Sequence, residues 1–552
     1  MKKSLHFTLA VAALANATGV DAQWSNNPAA NNAVSVAADN QQSPAILADG
    51  AGGAFIVWED MRSGSDYDIY AQRLDANGQP MWTADGVIIC TATGNQNYPQ
   101  IISDDAGGAI IVWQDNYSGN DDIYAQRVNS AGVVQWAPDG VGVCTEDFGQ
   151  SYPKIVSDNA GGAIIVWEDT YSGNSDVFAQ RINSSGVVQW LASGVAVCSA
   201  AENQYAPEII ADGSGGAIVT WEDYRTGTTM DIYAQKISAA GAMQWGVNGM
   251  AVCSNSFTQI RPQLTSDGAG GGIFVWEDNR VVPEYHIYTQ QISSAGVAAS
   301  IDGILVSSPA GEQIRAQLTS DDNGGAIIIW QEGFSASSDI SAQRINSSGL
   351  VQWTTGGVEV CVMDNEQSYT EIISDENGGV FIIWSDRRDL SDNSNIYAQY
   401  LNSSGVKQWT TDGVAVATAN DYQEYPAFTS DGAGGLLVTW EDSRSGNDDI
   451  YAQNICAAGN LGECNTSISE EHAGELKAFV NQEELTVELS KLNETRGNLL
   501  LTDLSGRVIL NQPNLNLQSN SYTTYIGSLA SGIYTLSLQT ENRNYAVKVF
   551  ID

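Results

Sequence analysis

The run Ala109-Ile110-Ile111-Val112-Trp113 decides the architecture, because it is apolar without alternation. A strand with one wet face alternates apolar and polar residues, whereas a continuous apolar strand must be covered on both faces. Its surroundings repeat a simple grammar. Before it come Gln100–Ser103 and the tight turn Asp104-Asp105-Ala106-Gly107-Gly108. After it come Gln114-Asp115, a Ser118-Gly119-Asn120-Asp121 turn, the segment Asp122–Val128 and Asn129-Ser130-Ala131-Gly132. Val133-Val134-Gln135-Trp136 and Gly142-Val143-Cys144 complete the unit. This reads as four strands joined by turns whose Gly, Asn and Asp supply the positive φ that hairpins need.

The unit recurs. Trp58, Trp113, Trp167, Trp221, Trp276, Trp330, Trp384 and Trp440 follow one another at 54 to 56 residues. Trp24, Trp82, Trp136, Trp190, Trp245, Trp353 and Trp409 form a second series, and the two together account for all 15 tryptophans. A β-rich repeat of this period builds an array in which no unit buries its own core. Four-stranded units covered on both faces by their neighbours form a radial β-propeller. The ends of the array agree. Gln23-Trp24 and Ala33-Val34-Ser35-Val36-Ala37 resemble the fourth-strand elements Gln408-Trp409 and Gly413-Val414-Ala415-Val416-Ala417, while the last repeat stops at its third strand, Asp449–Asn454. Lending the first strand to the last blade satisfies both edges. The expectation is an all-β chain with an eight-bladed propeller over 23–456, closed by its N-terminal strand; seven blades or two half-rings are the competing counts.

Met1–Ala22 reads as a secretory signal peptide, with Lys2 and Lys3, an apolar stretch from Leu5 to Ala15 and small residues at Val20-Asp21-Ala22. No later stretch has the roughly 20 apolar residues of a membrane span. The net charge of −42, from 65 acidic against 23 basic residues, disfavours nucleic acid and anionic lipid as partners. Cys90, Cys144, Cys198, Cys253 and Cys361 hold one repeat position, too far apart on different blades to pair, and read as buried small hydrophobes. Cys456 and Cys464 bracket the point where the ring ends and are expected to form a disulfide.

Beyond Cys464 the repeat stops. The segment 457–475 reads as a linker and 476–552 as a small Ig-like β-sandwich with turns at Ser505-Gly506 and Ser531-Gly532. Asp503-Leu504-Ser505-Gly506-Arg507, then Leu529-Ala530-Ser531-Gly532-Ile533-Tyr534, then Val547-Lys548-Val549-Phe550 stand in this order at the C-terminus. These elements resemble the type A C-terminal sorting domain of type IX secretion cargo. The resemblance implies a Bacteroidota-type bacterium, recognition by the type IX machinery, passage through the periplasm, and release or attachment at the outer cell surface.

Chemistry is harder to place. The turns between first and second strands and between third and fourth are short and uniform; the opposite face carries longer, variable loops, where binding concentrates. On that face a Gln opens each blade: Gln41, Gln96, Gln150, Gln204, Gln259, Gln313, Gln367 and Gln423. A residue present in every blade reads as an inter-blade hydrogen bond. Beside it stand Tyr98, Tyr152, Tyr205, Tyr369 and Tyr425, replaced by Arg261 and Arg315 in blades 5 and 6. An acidic pair and often an Arg follow the first-series Trp: Arg62, Arg225, Arg280, Arg387 and Arg444. Tyr and Arg stack on sugars or grip carboxylates, so Tyr98, Tyr152, Arg261, Arg315, Tyr369, Tyr425, Arg62, Arg225, Arg280 and Arg444 are the ligand-binding candidates. Blade 5 is irregular: it lacks the second Trp, contains Pro283-Glu284-Tyr285-His286 and carries Gln291 where most blades have Arg or Lys.

No catalytic set emerges. The three histidines, His6, His286 and His472, make a Ser-His-Asp or His-rich zinc site improbable. The Asp-x-x-Gly-Gly…Trp spacing is superficially similar to the tryptophan-docking motif of quinoprotein dehydrogenases and the Asp box of sialidases, but departs from both, and no active site is carried over. No metal site or cofactor is expected, calcium at Asp121-Asp122 or Asp448-Asp449 being the one cation the acidic loops could hold. The leading expectation is a secreted or surface propeller that binds an extracellular glycan or protein through its loop-rich face. A polysaccharide hydrolase or lyase, and a purely structural adhesin element, are the alternatives.

Overall fold

The computed structural model describes residues 24–307, 311–333, 338–389, 393–462, 477–481, 484–488, 495–503, 508–518, 521–526, 532–540 and 544–551. The segment Met1–Ala22 read as a signal peptide, His472 and the residues Ser505, Gly506 and Ser531 lie outside them. The chain divides into two compact units, Met1–Cys464 and Asn465–Asp552.

The first unit is the propeller. Eight four-stranded antiparallel sheets follow one another along the chain. Blade 1 comprises Gln41–Ala48, Ala54–Asp60, Asp68–Leu74 and Val87–Cys90, and blade 2 comprises Gln96–Ser103, Ala109–Asp115, Asp122–Val128 and Val141–Cys144. Blade 8 takes Gln423–Ser430, Leu436–Asp442 and Asp449–Ile455 from the end of the ring and Asn32–Ser35 from its start. The closing strand pairs antiparallel, Asn32 with Ala452 and Ala33 with Tyr451. Closure continues at the inner edge, where the Gln41 N–H donates to the Asp448 carbonyl at 2.6 Å.

The closing strand sits in a different register from the one its sequence suggests. Ser35 pairs opposite Ile450, the place that Ala417 holds opposite Ile396 in blade 7. Asn31 to Ser35, rather than Ala33 to Ala37, therefore matches Gly413 to Ala417. Val34 and Ser35 are buried whereas Val36 is half exposed. The alternation Val34-Ser35-Val36-Ala37 fits both registers; burial of the small residue at the cysteine position selects one. The extra residues after Trp24 form a turn in which Asn31 Nδ2 donates to the Val416 carbonyl at 2.9 Å, tying the N-terminus to blade 7 as well.

The two Trp series do different work. All eight first-series indoles are fully buried. Trp167 packs against Ile110, Val112, Ile123 and Ala125 of the preceding blade. Gly194, at φ +81°, lies over its ring, and a Cβ there would come within 2.6 Å of the indole. The second series links each blade to the next: Trp136 Nε1 donates to the Ser184 carbonyl at 3.2 Å and the ring lies under Gly186. Trp24 makes the same contact with Ala76 and Gly78, joining blade 8 to blade 1. Blade 5, without this Trp, places Ile304 against Gly349 of blade 6 instead.

The five repeat cysteines are buried and free. Burial pushes the thiols of Cys144, Cys198, Cys253 and Cys361 up to about 12, so they are inert as nucleophiles. Cys456 is disulfide-bonded; its expected partner Cys464 lies outside the described residues. Residues 457–462, read from sequence as linker, still belong to blade 8, since Leu461 bridges to Ile455 and Trp409 Nε1 donates to the Ala457 carbonyl.

The second unit is a two-sheet sandwich. Lys477–Asn481, Glu484–Glu488 and Ser521–Tyr525 form one sheet; Val508–Asn516, Arg496–Asp503, Gly532–Thr540 and Asn544–Ile551 form the other. Leu485, Val487, Leu499, Leu501, Leu536 and Leu538 fill the space between them. Among the described residues no helix is long and apolar enough to cross a membrane.

Candidate functional site

The site is built at the start of the inner strands. Each opening Gln is buried, and Gln96 donates from its backbone N–H to the Tyr67 carbonyl at 2.8 Å and from Nε2 to the Ala92 and Gly94 carbonyls. Its Oε1, like that of six others in the series, is buried without a partner among the described residues. A β-bulge follows, and the residue two beyond the Gln has positive φ in all eight blades: Ser43, Tyr98, Tyr152, Ala206, Arg261, Arg315, Tyr369 and Tyr425, at 47–56°. For residues other than glycine this conformation costs about 1–3 kcal/mol and persists only when its surroundings enforce it.

In five blades a glutamate of the preceding blade, the first member of its acidic pair, enforces it, and at Tyr152 the Gln114 Oε1 takes that place, accepting from the N–H at 3.2 Å. The Tyr98 N–H donates to Glu59 Oε1 of the preceding blade at 2.7 Å, Ala206 to Glu168 at 2.8 Å, Arg261 to Glu222 at 2.7 Å and Ser43 to Glu441 at 2.6 Å. Tyr369 and Tyr425 follow Gln331 and Ser385 instead and keep the same conformation, so the backbone is constant around the ring while the side chain varies. Tyr205, one residue too early, does not occupy the position; Ala206 does.

The second acid serves the blade itself. Asp223 Oδ2 accepts from Trp221 Nε1 at 2.7 Å and forms a salt bridge with Arg225 at 2.6 Å. The Arg225 guanidinium stacks over Tyr233 at 3.6 Å and reaches the Asn248 carbonyl of the outer strand's turn at 2.9 Å. Arg62, Arg280 and Arg444 repeat this with Asp60, Asp278 and Asp442, over Tyr70, Tyr288 and Tyr451. These four candidates are therefore committed to holding strands together. In blade 7 the residue so placed is Arg388, salt-bridged to Asp386 and over Tyr397, not Arg387, which pairs with Glu424 at 2.9 Å. The adjacent arginines made the sequence assignment ambiguous by one residue.

The other six candidates converge. Tyr98 and Tyr152 pack with ring centroids 5.2 Å apart, and Tyr369 and Tyr425 at 4.4 Å with their hydroxyls hydrogen-bonded at 3.2 Å. That bond, then burial, raises the Tyr425 hydroxyl above the usual phenol value. Arg315 lies 6.0 Å from the Tyr369 ring, and Arg261 pairs with buried Glu277 at 3.2 Å. All four tyrosines are exposed, between 37% and 49%. In ring order the mouth reads Ser, Tyr, Tyr, Ala, Arg, Arg, Tyr, Tyr.

Below the mouth runs a central channel of about 530 Å³ to which the inner strands of all eight blades contribute. Two residues past the mouth position the lining is Ala45, Gln100, Lys154, Glu208, Gln263, Gln317, Glu371 and Ala427. Lys154 Nζ and Glu208 Oε1 form an ion pair at 2.8 Å. Glu371 is exposed to the channel; its confinement among the inner strands, opposed by Lys154 and reinforced by Glu208, lifts its carboxyl to about 7. Sequence reasoning passed over this column. Its signal was available: it is the fifth residue of each inner strand and varies among Ala, Gln, Lys and Glu.

No group of three or more His, Cys, Asp or Glu arranged for a metal ion occurs among the described residues. In the acidic loops considered for calcium, Asp121 accepts from Asn116 Nδ2, Asp122 from Asn120 Nδ2, and Asp448 from Ser443 Oγ and from Gln42 Nε2 of blade 1, while the buried Asp449 Oδ2 has no partner among the described residues. His286 is buried, its Nδ1 2.5 Å from Gln313 Oε1 of the next blade.

Comparison with known proteins divides along the same line as the fold. No curated protein matches the chain. Solved structures with similar shape include an α-L-arabinanase of Penicillium chrysogenum complexed with arabinobiose, at 11% identity and a TM-score of 0.38, covering 66% of this chain and 94% of that one. The polysaccharide lyase Uly1 aligns at 11% identity and a TM-score of 0.42, covering 71% and 94%. A protein of unknown function from Dyadobacter fermentans aligns at 8% and 0.36, covering 77% and 97%. No chemistry is carried over from them. Residues 481–552 match the family described as the secretion system C-terminal sorting domain. The C-terminal unit is therefore a type IX sorting domain, and the protein is exported, to be secreted or held at the outer cell surface.

Proposed function

We propose that the exported propeller binds an extracellular glycan at the mouth of its central channel, through Tyr98, Tyr152, Tyr369, Tyr425, Arg261 and Arg315. The observation that carries this reading is the contrast within one backbone ring. The position is held in the same strained conformation eight times, yet its side chains are four exposed tyrosines, two arginines, a serine and an alanine. A purely structural position would repeat. Exposed aromatic faces beside hydrogen-bonding groups suit sugar rings, which present apolar C–H faces and polar edges.

One specific observation supports a second reading, a polysaccharide-cleaving enzyme. Glu371, lifted to about 7, shares the channel with Glu208, and a carboxyl near neutrality suits general acid–base work. Incubating the full chain with an array of polysaccharides, and scoring both retention and release of reducing or unsaturated ends, separates the two. Retention without products is the expected result. Accumulating products that disappear in Glu371→Gln would make the protein an enzyme, and absence of retention on every polysaccharide would remove the glycan reading.

A further inference from the structure

The tyrosine arc is broken at one point. Blade 1 has Ser43 where its two neighbours in the ring have Tyr98 and Tyr425, and the gap opens a cavity of about 480 Å³. Tyr98 and Tyr425 form its flanks. Each is braced from behind, Tyr98 by Tyr152 and Tyr425 by Tyr369. Ala45 and Gln100 line it lower down, and Glu441 lines it as well.

Glu441 is set differently from its counterpart one blade on. Glu59 has both carboxylate oxygens occupied, Oε1 by the Tyr98 N–H and Oε2 by Asn97 Nδ2 at 3.0 Å. At Glu441 the Ser43 N–H takes Oε1, but Gln42, in the place of Asn97, turns to Asp448 at 2.7 Å and is held there by the Tyr67 hydroxyl at 2.8 Å. The remaining oxygen of a largely buried carboxyl is left to the cavity.

We infer that this slot holds one uncharged sugar residue, stacked between Tyr98 and Tyr425 with a hydroxyl on the free oxygen of Glu441. The inference rests on the glycan reading above and narrows it to a subsite and a ligand class. Charge selects the class. Glu59, Glu424 and Asp448 surround Glu441, and the chain as a whole carries −42, so a uronate or sulfated sugar would be repelled. Burial first, then these three carboxylates, lift Glu441 to about 8 against the pull of the Ser43 N–H. At neutral pH it therefore keeps its proton and donates a hydrogen bond to a hydroxyl, as a neutral ligand requires.

The test is calorimetric titration of the full chain with cellotetraose, xylotetraose, mannotetraose and arabinotetraose, and with tetragalacturonate as the anionic comparison. At least one neutral tetraose is expected to bind more tightly than tetragalacturonate. Ser43→Tyr restores the residue that four other blades tolerate in this conformation and fills the slot; it should weaken that binding about tenfold or more with the unfolding midpoint unchanged. Tyr98→Ala should weaken it by opening the slot instead. Wild-type binding should fall between pH 7 and pH 9, and Glu441→Gln, which keeps an N–H donor, should abolish that dependence. If a neutral tetraose binds wild type and Ser43→Tyr equally, the slot is wrong while the glycan reading stands. Tighter binding of tetragalacturonate overturns the choice of ligand class. Constant wild-type affinity from pH 7 to 9 overturns the role of Glu441. Failure of every tetraose, with no retention on polysaccharides, removes both readings together.

Discussion

Two rings lie two residues apart on the same eight strands. The Gln ring is identical in all blades and fully buried; the mouth ring is exposed and varied. Both keep the same place on the strand in every blade, so backbone geometry does not distinguish them. Freedom of the side chain does. Where each side chain is enclosed by its neighbours the residue repeats, and where it faces solvent the residue diverges and can serve a ligand.

The scaffold side of this contrast breaks first and hardest. Trp167 is fully buried among residues of two blades, so Trp167→Ala should cost about 3–5 kcal/mol in chemical denaturation, as large cavities do. A loss below about 1 kcal/mol would remove the claim that the first-series indoles lock the blades.

Acidity gives a gentler handle on the same seams. Asp68, Asp231 and Asp449 open the third strands of their blades, beside the Gln ring, and burial raises them from 3.8 to about 6. A carboxyl that holds its proton more tightly when folded adds stability that is complete below about pH 4 and lost as pH rises through 6. Asp49 and Asp104 in the turns and Asp278 beside Arg280 lie below their usual value, so their contribution is lost only in stronger acid. Stability should therefore peak near pH 4–5 and decline towards pH 8. In thermal unfolding, Asp231→Asn and Asp449→Asn should each flatten the decline; an unchanged slope would place the effect elsewhere. Blade 5 offers the internal comparison, because His286 fills the corresponding position opposite Asp278 and meets Gln313 directly.

The same contrast explains what could be read without coordinates. Blade count and closure were legible because burying an indole between two sheets constrains a residue in every repeat. The register of Asn32–Ser35 was not, since alternating small residues fit two alignments and only burial of Ser35 chooses. The Tyr and Arg of the mouth could be picked out from the repeat, although Tyr205 stands one residue before its position, as Arg387 does in the separate Arg series; bulges and adjacent arginines hide register from a sequence pattern. Arg62, Arg225, Arg280 and Arg444 shared the chemistry of a binding residue but not its freedom, and nothing in their identity revealed the Asp and Tyr that occupy them. The channel column of Lys154, Glu208 and Glu371 was missed for the opposite reason, as polar residues inside a strand that a repeat-based reading treats as noise.

The separation of scaffold from site is tested most directly by the double variant Tyr98→Ala/Tyr425→Ala, compared with wild type for unfolding midpoint and for retention in affinity electrophoresis through polysaccharide gels. Exposed side chains that do not themselves hold the backbone should leave stability within about 0.5 kcal/mol per site while retention is lost. Full retention, or a collapse in stability comparable to that of Trp167→Ala, would contradict the account.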